Sequence, residues 1–191
     1  MTRHALVGIE PGTVIVGARF KPGLAPAFLR CSSPELLDLE PPLSEVWPGH
    51  AGGDLVWLAE GSLEARFTRL RALLGTRLDG AAPDPLVEAA VEALRREPDT
   101  PVAHLSNGLL ISPRQLLRRF ELGVGYAPSV FRRVVRLQRV VRSAALRRSG
   151  WLARVAADAG YADQSHMNRD VRELAGVTPG ELLAGYRALY A

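Results

Sequence analysis

Residues 155–179, VAADAGYADQSHMNRDVRELAGVTP, read as two short helices joined by a tight turn. Leu152, Val155, Ala156 and Ala159 set small apolar groups on one face of the first helix. Gly160 is the residue type that most readily takes the positive φ of a helix end. Asp163 is an N-cap residue whose carboxylate can accept from the open N–H groups of the next turn. A second helix then runs from Gln164 to Leu174, with Met167, Val171 and Leu174 on one apolar stripe. Its other face carries Gln164, Ser165, His166, Asn168, Arg169 and Arg172. Gln, Asn and Arg pair bidentately with purine edges in the major groove. The same composition also suits a plain solvated helix face.

The frame occurs twice. Moving back 51 positions, Arg169 meets Arg118, Gly176 meets Gly125 and Pro179 meets Pro128. Met167 meets Leu116, Val171 meets Phe120, and the cap Asp163 meets Ser112. Residues 112–128, SPRQLLRRFELGVGYAP, therefore repeat the pattern of the stretch quoted first. Two copies are too few for a solenoid and suit a pair of helix-turn-helix units. In the first copy Leu116 and Phe120 form the core side, with Leu117 at its edge. Arg114, Gln115, Arg118 and Arg119 face outward.

At these residues the chain resembles the DNA-binding domain of AraC-type transcription regulators. SPRQLLRRF (112–120), GYAPSVFRRVVRLQR (125–139) and LARVAADAGYADQSHMNRDVRELAGVTP (152–179) carry the similarity, which runs from Val102 to Leu183. The resemblance implies an all-α domain with two helix-turn-helix units, about 102–121 and 152–174. It implies sequence-specific binding of double-stranded DNA, with both recognition helices in successive major grooves. Carried over in this way, Arg114 and Arg118 are the first base-reading candidates of the first unit, with Gln115 next and Arg119 beside them. In the second unit the contact candidates are Gln164, Ser165, His166, Asn168, Arg169 and Arg172. For each of them a phosphate contact or a free surface position is the alternative. RNA polymerase is a further partner expected of such a regulator, whether it activates or represses. One departure stands out. The family usually has Gly at the first turn, where this chain has Leu110, two residues after Gly108.

Between the units, Ser129 to Arg148 reads as a long connecting helix with Val130, Val134, Leu137, Val141 and Ala144 as its stripe and Phe131 and Val135 flanking. About 20 residues at ~1.5 Å each span roughly 30 Å, against ~34 Å between successive major grooves. Its arginines read as phosphate clamps or salt-bridge partners rather than base readers. Trp151 reads as core packing. Thr178, Pro179 and Glu181 form a capping box that starts the last helix, with Leu182, Leu183 and Tyr186 packing back.

Charge divides the chain. Residues 1–101 hold 10 Lys+Arg and 14 Asp+Glu, net −4; residues 102–191 hold 14 Arg and 6 Asp+Glu, net +8. The basic surface therefore belongs to the second half. A composition of 47% hydrophobic and 23% charged residues supports a buried core. No apolar run reaches membrane-spanning length, and MTRHALVGIEP lacks the apolar region of a signal peptide. The single cysteine, Cys31, allows no internal disulfide and reads as a small buried hydrophobe. These features fit a cytoplasmic protein. The four histidines are scattered, so no metal or other cofactor is expected. There is no nucleophile-elbow sequence, HExxH motif or P-loop, and no catalytic residue is assigned.

The first half reads as a small α+β region, residues 1–98, ahead of the domain at 99–191. ALVGI and TVIVGARF flank the turn Glu10-Pro11-Gly12 and predict a hairpin, Ala5–Ile9 with Thr13–Phe20. Short helices are expected at Leu24–Arg30, after Ser33-Pro34-Glu35, and at Ser44–Trp47. His50–Asp54 reads as a loop. Longer amphipathic helices follow at Ser62–Leu78, with Leu63, Phe67, Leu70, Leu73 and Leu74, and at Pro85–Arg96. Glu97–Pro101 is the candidate linker. VGARFKPGLAPAFL and PPLSEVW are similar to the latter part of the small sensor domain found ahead of some AraC-type DNA-binding domains. That likeness implies a small-molecule effector at the N-terminal region, in a sensor half that is either truncated or reduced. The rival to DNA binding is a helical protein-interaction module, whose basic surface meets an acidic protein without base-sequence preference.

Overall fold

The computed structural model describes residues 10, 12–47, 56–78, 80–144 and 152–190. Helices account for the regular structure. α1 (Leu24–Leu29), a 3-10 turn (Ser33–Leu36), α2 (Leu43–Val46), α3 (Val56–Ala59) and α4 (Leu63–Leu78) come first. α5 (Pro85–Arg96), α6 (Val102–Gly108), α7 (Pro113–Val124) and α8 (Pro128–Ala144) follow. α9 (Leu152–Ala159), α10 (Gln164–Ala175) and α11 (Pro179–Tyr190) complete the chain.

The expected hairpin is not supported. Residues 13–20 form no strand, and among the described residues there is no strand at all. The partner segment Ala5–Ile9 lies outside the described residues, as do Pro11, the loop His50–Asp54, Trp151 and the connecting helix beyond Ala144. Val14 and Ile15 are 55% and 68% exposed. A β-branched run stabilises a strand only through neighbours on a pleated surface, and a lone hairpin is marginal in water. What anchors the segment is its last residue. The Phe20 ring lies 4.7 Å from that of Phe28, and Phe28 meets Trp47 edge to face at 5.2 Å. The described residues of the N-terminal region are thus helical and irregular rather than α+β.

Two smaller expectations also shift there. The 3-10 turn is capped by Ser32, one residue before the expected Ser33, with its backbone N–H and hydroxyl both donating to the Glu35 carboxylate. On α4 only Leu73 is buried, while Leu63 and Phe67 are half-exposed. Cys31 is partly buried. Burial, then the Glu35 charge, raises its thiol pKa, as befits an unreactive side chain.

The rest is organised by α8, which is gripped at both ends. Its N-terminal half gives Phe131 and Val135 to a core with Leu116 and Phe120 of α7 and Leu105 of α6. Its C-terminal half gives Val140 to a second core with Val155, Ala156 and Ala159 of α9, Met167 and Val171 of α10, and Leu183 of α11. The deepest line on α8 is therefore Phe131, Val135 and Val140, not the expected Val130–Val134–Leu137–Val141 stripe, whose members are half-buried. One stripe describes a helix packed on one side. Two cores on either end demand two faces.

The first core reaches across the boundary read at 98/99. Val87, Ala90, Val91 and Leu94 of α5 lie in it with Leu116 and Phe120. A Cβ on Gly123 of α7 would come 3.1 Å from Val87 Cγ1, so the two helices approach closely there and a side chain at 123 would require Val87 to give way. The segment between α5 and α6 is held too. Asp99 pairs with Arg136, and Arg139 donates to the carbonyls of Arg95 and Arg96 at 2.9 and 2.7 Å.

Candidate nucleic-acid interface

The 51-residue repeat holds at the level of atoms. Ser112 Oγ accepts from Gln115 N at 3.2 Å, and Asp163 Oδ1 accepts from His166 N at 2.7 Å. Both helices are thereby capped at the same position. Leu116 and Phe120 in α7, and Met167 and Val171 in α10, are all fully buried. Gly125 and Gly176 end the two helices with φ 100° and 70°, each N–H donating to the carbonyl four residues back. A proline at the next helix start follows each: Pro128 and Pro179. Opposite these buried stripes, α7 and α10 present their outward faces.

On α7, Arg114 and Arg118 are exposed. Gln115 is exposed but committed: its Oε1 accepts from Ser112 N at 2.9 Å and Ser112 Oγ at 3.0 Å, leaving the amide NH2 as its open group. Arg119 turns to the N-terminal side and pairs with Asp84 at 2.6 Å. Asp84 also caps α5 by accepting from Leu86 N at 2.9 Å. Burial alone would raise the Asp84 carboxyl, but the Arg119 and Leu86 hydrogen bonds outweigh it and hold the pKa below the usual range.

On α10, Gln164, Ser165, Arg169 and Arg172 are exposed. His166 is half-buried, its ring edge-on to Tyr161 at 5.2 Å. Asn168 is half-buried as well, with Oδ1 lacking a protein partner. The geometry thus brings together Arg114 and Arg118 on one helix, and Gln164, Ser165, Arg169 and Arg172 on the other. Gln115, Arg119 and His166 make contacts within the protein, and Asn168 is half-buried.

Most arginines of α8 hold the two units in place. Arg133 Nε donates to Asp170 Oδ1 at 2.9 Å, and its Nη2 pairs with Glu173. The two contacts tie α8 to α10. Asp170 is buried, with Oδ2 lacking a protein partner. Arg136 lies over the Tyr161 ring, 5.7 Å from its centroid. Burial, then the Asp170 charge, pushes the Tyr161 phenol well above its ordinary pKa, so it stays protonated at neutral pH. Asp99, Asp170, Tyr161 and Asp84 were not legible as participants in the sequence. Their partners lie 35 or more positions away in the contacts of Asp84 and Asp170.

The first turn takes the shape its missing glycine implies. Leu110 has φ 57° and is 92% exposed, whereas the second turn uses Gly160 at φ 87°. A left-handed non-glycine residue costs about 1–2 kcal/mol, while glycine adds about 0.5–1 kcal/mol of backbone entropy. Leu110→Gly is expected to stabilise the protein by about 0.5–1 kcal/mol. The readout is a raised urea midpoint at unchanged slope; a lowered midpoint would contradict it.

Residues 105–185 match a family described as a helix-turn-helix domain. No curated protein matches the chain. Among solved structures, the C-terminal domain of AraT, a response regulator from Geobacillus stearothermophilus, is similar at 18% identity and a TM-score of 0.49, covering 53% of this chain and 86% of that one.

Proposed function

We propose that this chain, whose residues 105–185 match a helix-turn-helix family, is a DNA-binding transcription regulator of the AraC type that reads an asymmetric DNA site with α7 and α10 in successive major grooves. The observation that carries the reading is the repeated frame. Two helices have the same cap, the same buried pair and the same glycine end, and each shows unpaired arginines outward. α8 separates them: its 17 residues span about 25 Å at ~1.5 Å each. Arg118 and Arg169, equivalent in the two copies, are the leading base readers. Arg114, Gln164 and Ser165 stand beside them, with Arg172 as a phosphate contact. Arg119, held by Asp84, contributes little. The working unit extends back through α5, whose apolar face completes the first core. RNA polymerase and a small-molecule effector belong to the same reading.

The test is selection of bound DNA from a random pool at two salt concentrations. Two enriched blocks about one helical turn, ~34 Å, apart are expected. Affinity for the selected site should fall with a log–log salt slope of about −0.9 per phosphate neutralised. One enriched block would mean a single reading head. No enrichment would remove sequence-specific binding and leave the basic surface to an acidic protein partner.

A further inference from the structure

A cleft of about 610 Å3 lies between residues 19–22 and the helices α5, α8 and α11. Four cationic side chains line it: Arg19, Lys21, Arg95 and Arg142. No acidic side chain does. All four cations are exposed, and none has an ion-pair partner among the described residues. This sets Arg142 apart from Arg132, Arg133 and Arg136 on the same helix, each of which faces a carboxylate. An adjoining cleft that shares Lys21 and Arg95 carries two carboxylates, Glu88 and Glu92. Glu92 is paired with Arg96 at 3.4 Å, and neither acid pairs with Lys21 or Arg95.

The remaining lining includes Gln138 and a set of apolar walls. Phe20, Leu137, Val141 and the side of Tyr186 provide them. The volume is that of a site for a small organic molecule. Unpaired like charges around one cleft raise its potential and favour an anion, and the apolar walls favour an occupant with a hydrocarbon body. We infer that this cleft binds an amphiphilic organic dianion: an aromatic or aliphatic body ending in a phosphate monoester or in two carboxylates. A DNA strand lacks the apolar body that Phe20, Leu137 and Val141 would meet. The recognition helices α7 and α10 contribute nothing to the lining.

An occupant here would touch the N-terminal segment and two of the four helices that build the second core, α8 and α11. It would brace the segment 19–22 against the second reading head. That regulatory use rests on the DNA-binding reading; the binding itself does not.

The experiment is calorimetric titration of the full chain with 1-naphthyl phosphate and with naphthalene-2,6-dicarboxylate, in the absence of DNA. Inorganic phosphate and 1-naphthol serve as the two halves of the first probe. One molecule per chain is expected to bind for at least one amphiphilic dianion, with each half at least about tenfold weaker. Arg95→Gln/Arg142→Gln should weaken binding at least tenfold while the far-ultraviolet dichroism stays unchanged. These positions are exposed, so the fold should tolerate them. If that variant lost its dichroism, Lys21→Gln in the irregular segment supplies the same test. Preference between the two dianions identifies the head group. No saturable heat at millimolar probe, or equal binding by the variant, overturns the inference. Displacement of the probe by duplex DNA would also overturn it, assigning the cleft to the phosphate backbone. Failure to bind the probes would leave the DNA selection result intact, so the two readings fail separately.

Discussion

Replacing Arg133 by Met is expected to destabilise the fold by about 3 kcal/mol, which lowers Tm by roughly 6–12 °C for a chain of this size. Arg133 is the partner that makes Asp170 tolerable. Asp170 is only 7% exposed, and of its two oxygens only Oδ1 is satisfied within the protein, by Arg133 Nε. Methionine keeps the apolar stem against α10 and removes the charge. The buried carboxylate is then left without its cation, a situation that typically costs about 3–5 kcal/mol. The low end applies because the Arg133 side chain is 31% exposed. If this account is right, Asp170→Asn on the Arg133→Met background recovers most of the loss, because the stranded charge goes with it. Urea denaturation of the four proteins in the cycle gives the answer. A loss under about 1 kcal/mol for Arg133→Met alone would show that the pair is not what secures α10 on α8.

The arginines also show where the sequence could be read and where it could not. The caps Ser112, Asp163 and Thr178, the glycine ends Gly125 and Gly176, and the buried pairs Leu116/Phe120 and Met167/Val171 are local features. Each is set by residues within one or two turns, and the 51-residue repeat made them visible twice. Leu110 was legible for the same reason, as a departure from a local requirement. The partners of the α8 arginines were not legible. Arg136 meets Asp99 and Arg133 meets Asp170, each 37 positions away, and nothing local distinguishes them from Arg142, which has no ion-pair partner among the described residues. The hairpin was misread for a related reason. β-branched residues at 13–16 report propensity, but a strand exists only where another strand or a core accepts it. α5 was legible as a helix, but its packing against α7 was not, since Pro98 and Pro101 mark a bend in the chain without saying that the core continues beyond it.

This partition sharpens what the net charge of the second half means. Of its 14 arginines, Arg119, Arg132, Arg133 and Arg136 are paired with carboxylates, and Arg139 serves the carbonyls that end α5. The positive field available for DNA in the proposed reading arises from the rest, and the outward faces of α7 and α10 hold four of those. The basic surface is therefore narrower than the sequence count implies, and four of its exposed arginines lie on the two copies of the repeat.

The Arg118→Ala/Arg169→Ala double variant is accordingly expected to lose about 4 kcal/mol of affinity for the selected site, on the order of a thousandfold. Each arginine, if bidentate to a base, contributes about 1–3 kcal/mol. The two stand on different helices with α8 between them and share no partner, so their losses should add to within about 0.5 kcal/mol. Both are exposed and neither has a hydrogen bond or ion pair among the described residues, so stability should stay within about 0.5 kcal/mol of the parent. The decisive comparison is with a random-sequence duplex at the same salt. Base reading predicts that the double variant binds the random duplex nearly as well as the parent does, and that the gap between selected and random sites collapses. Phosphate contact predicts equal loss on both duplexes and a salt slope shallower by about 0.9 for each arginine removed. Arg119→Ala is the control that separates position from charge. It removes one arginine from the same helix as Arg118, yet its guanidinium faces Asp84, so its effect on the selected site should be under about threefold. A loss as large as that of Arg118→Ala would mean that the Asp84 pair opens on DNA and that Arg119 joins the reading face.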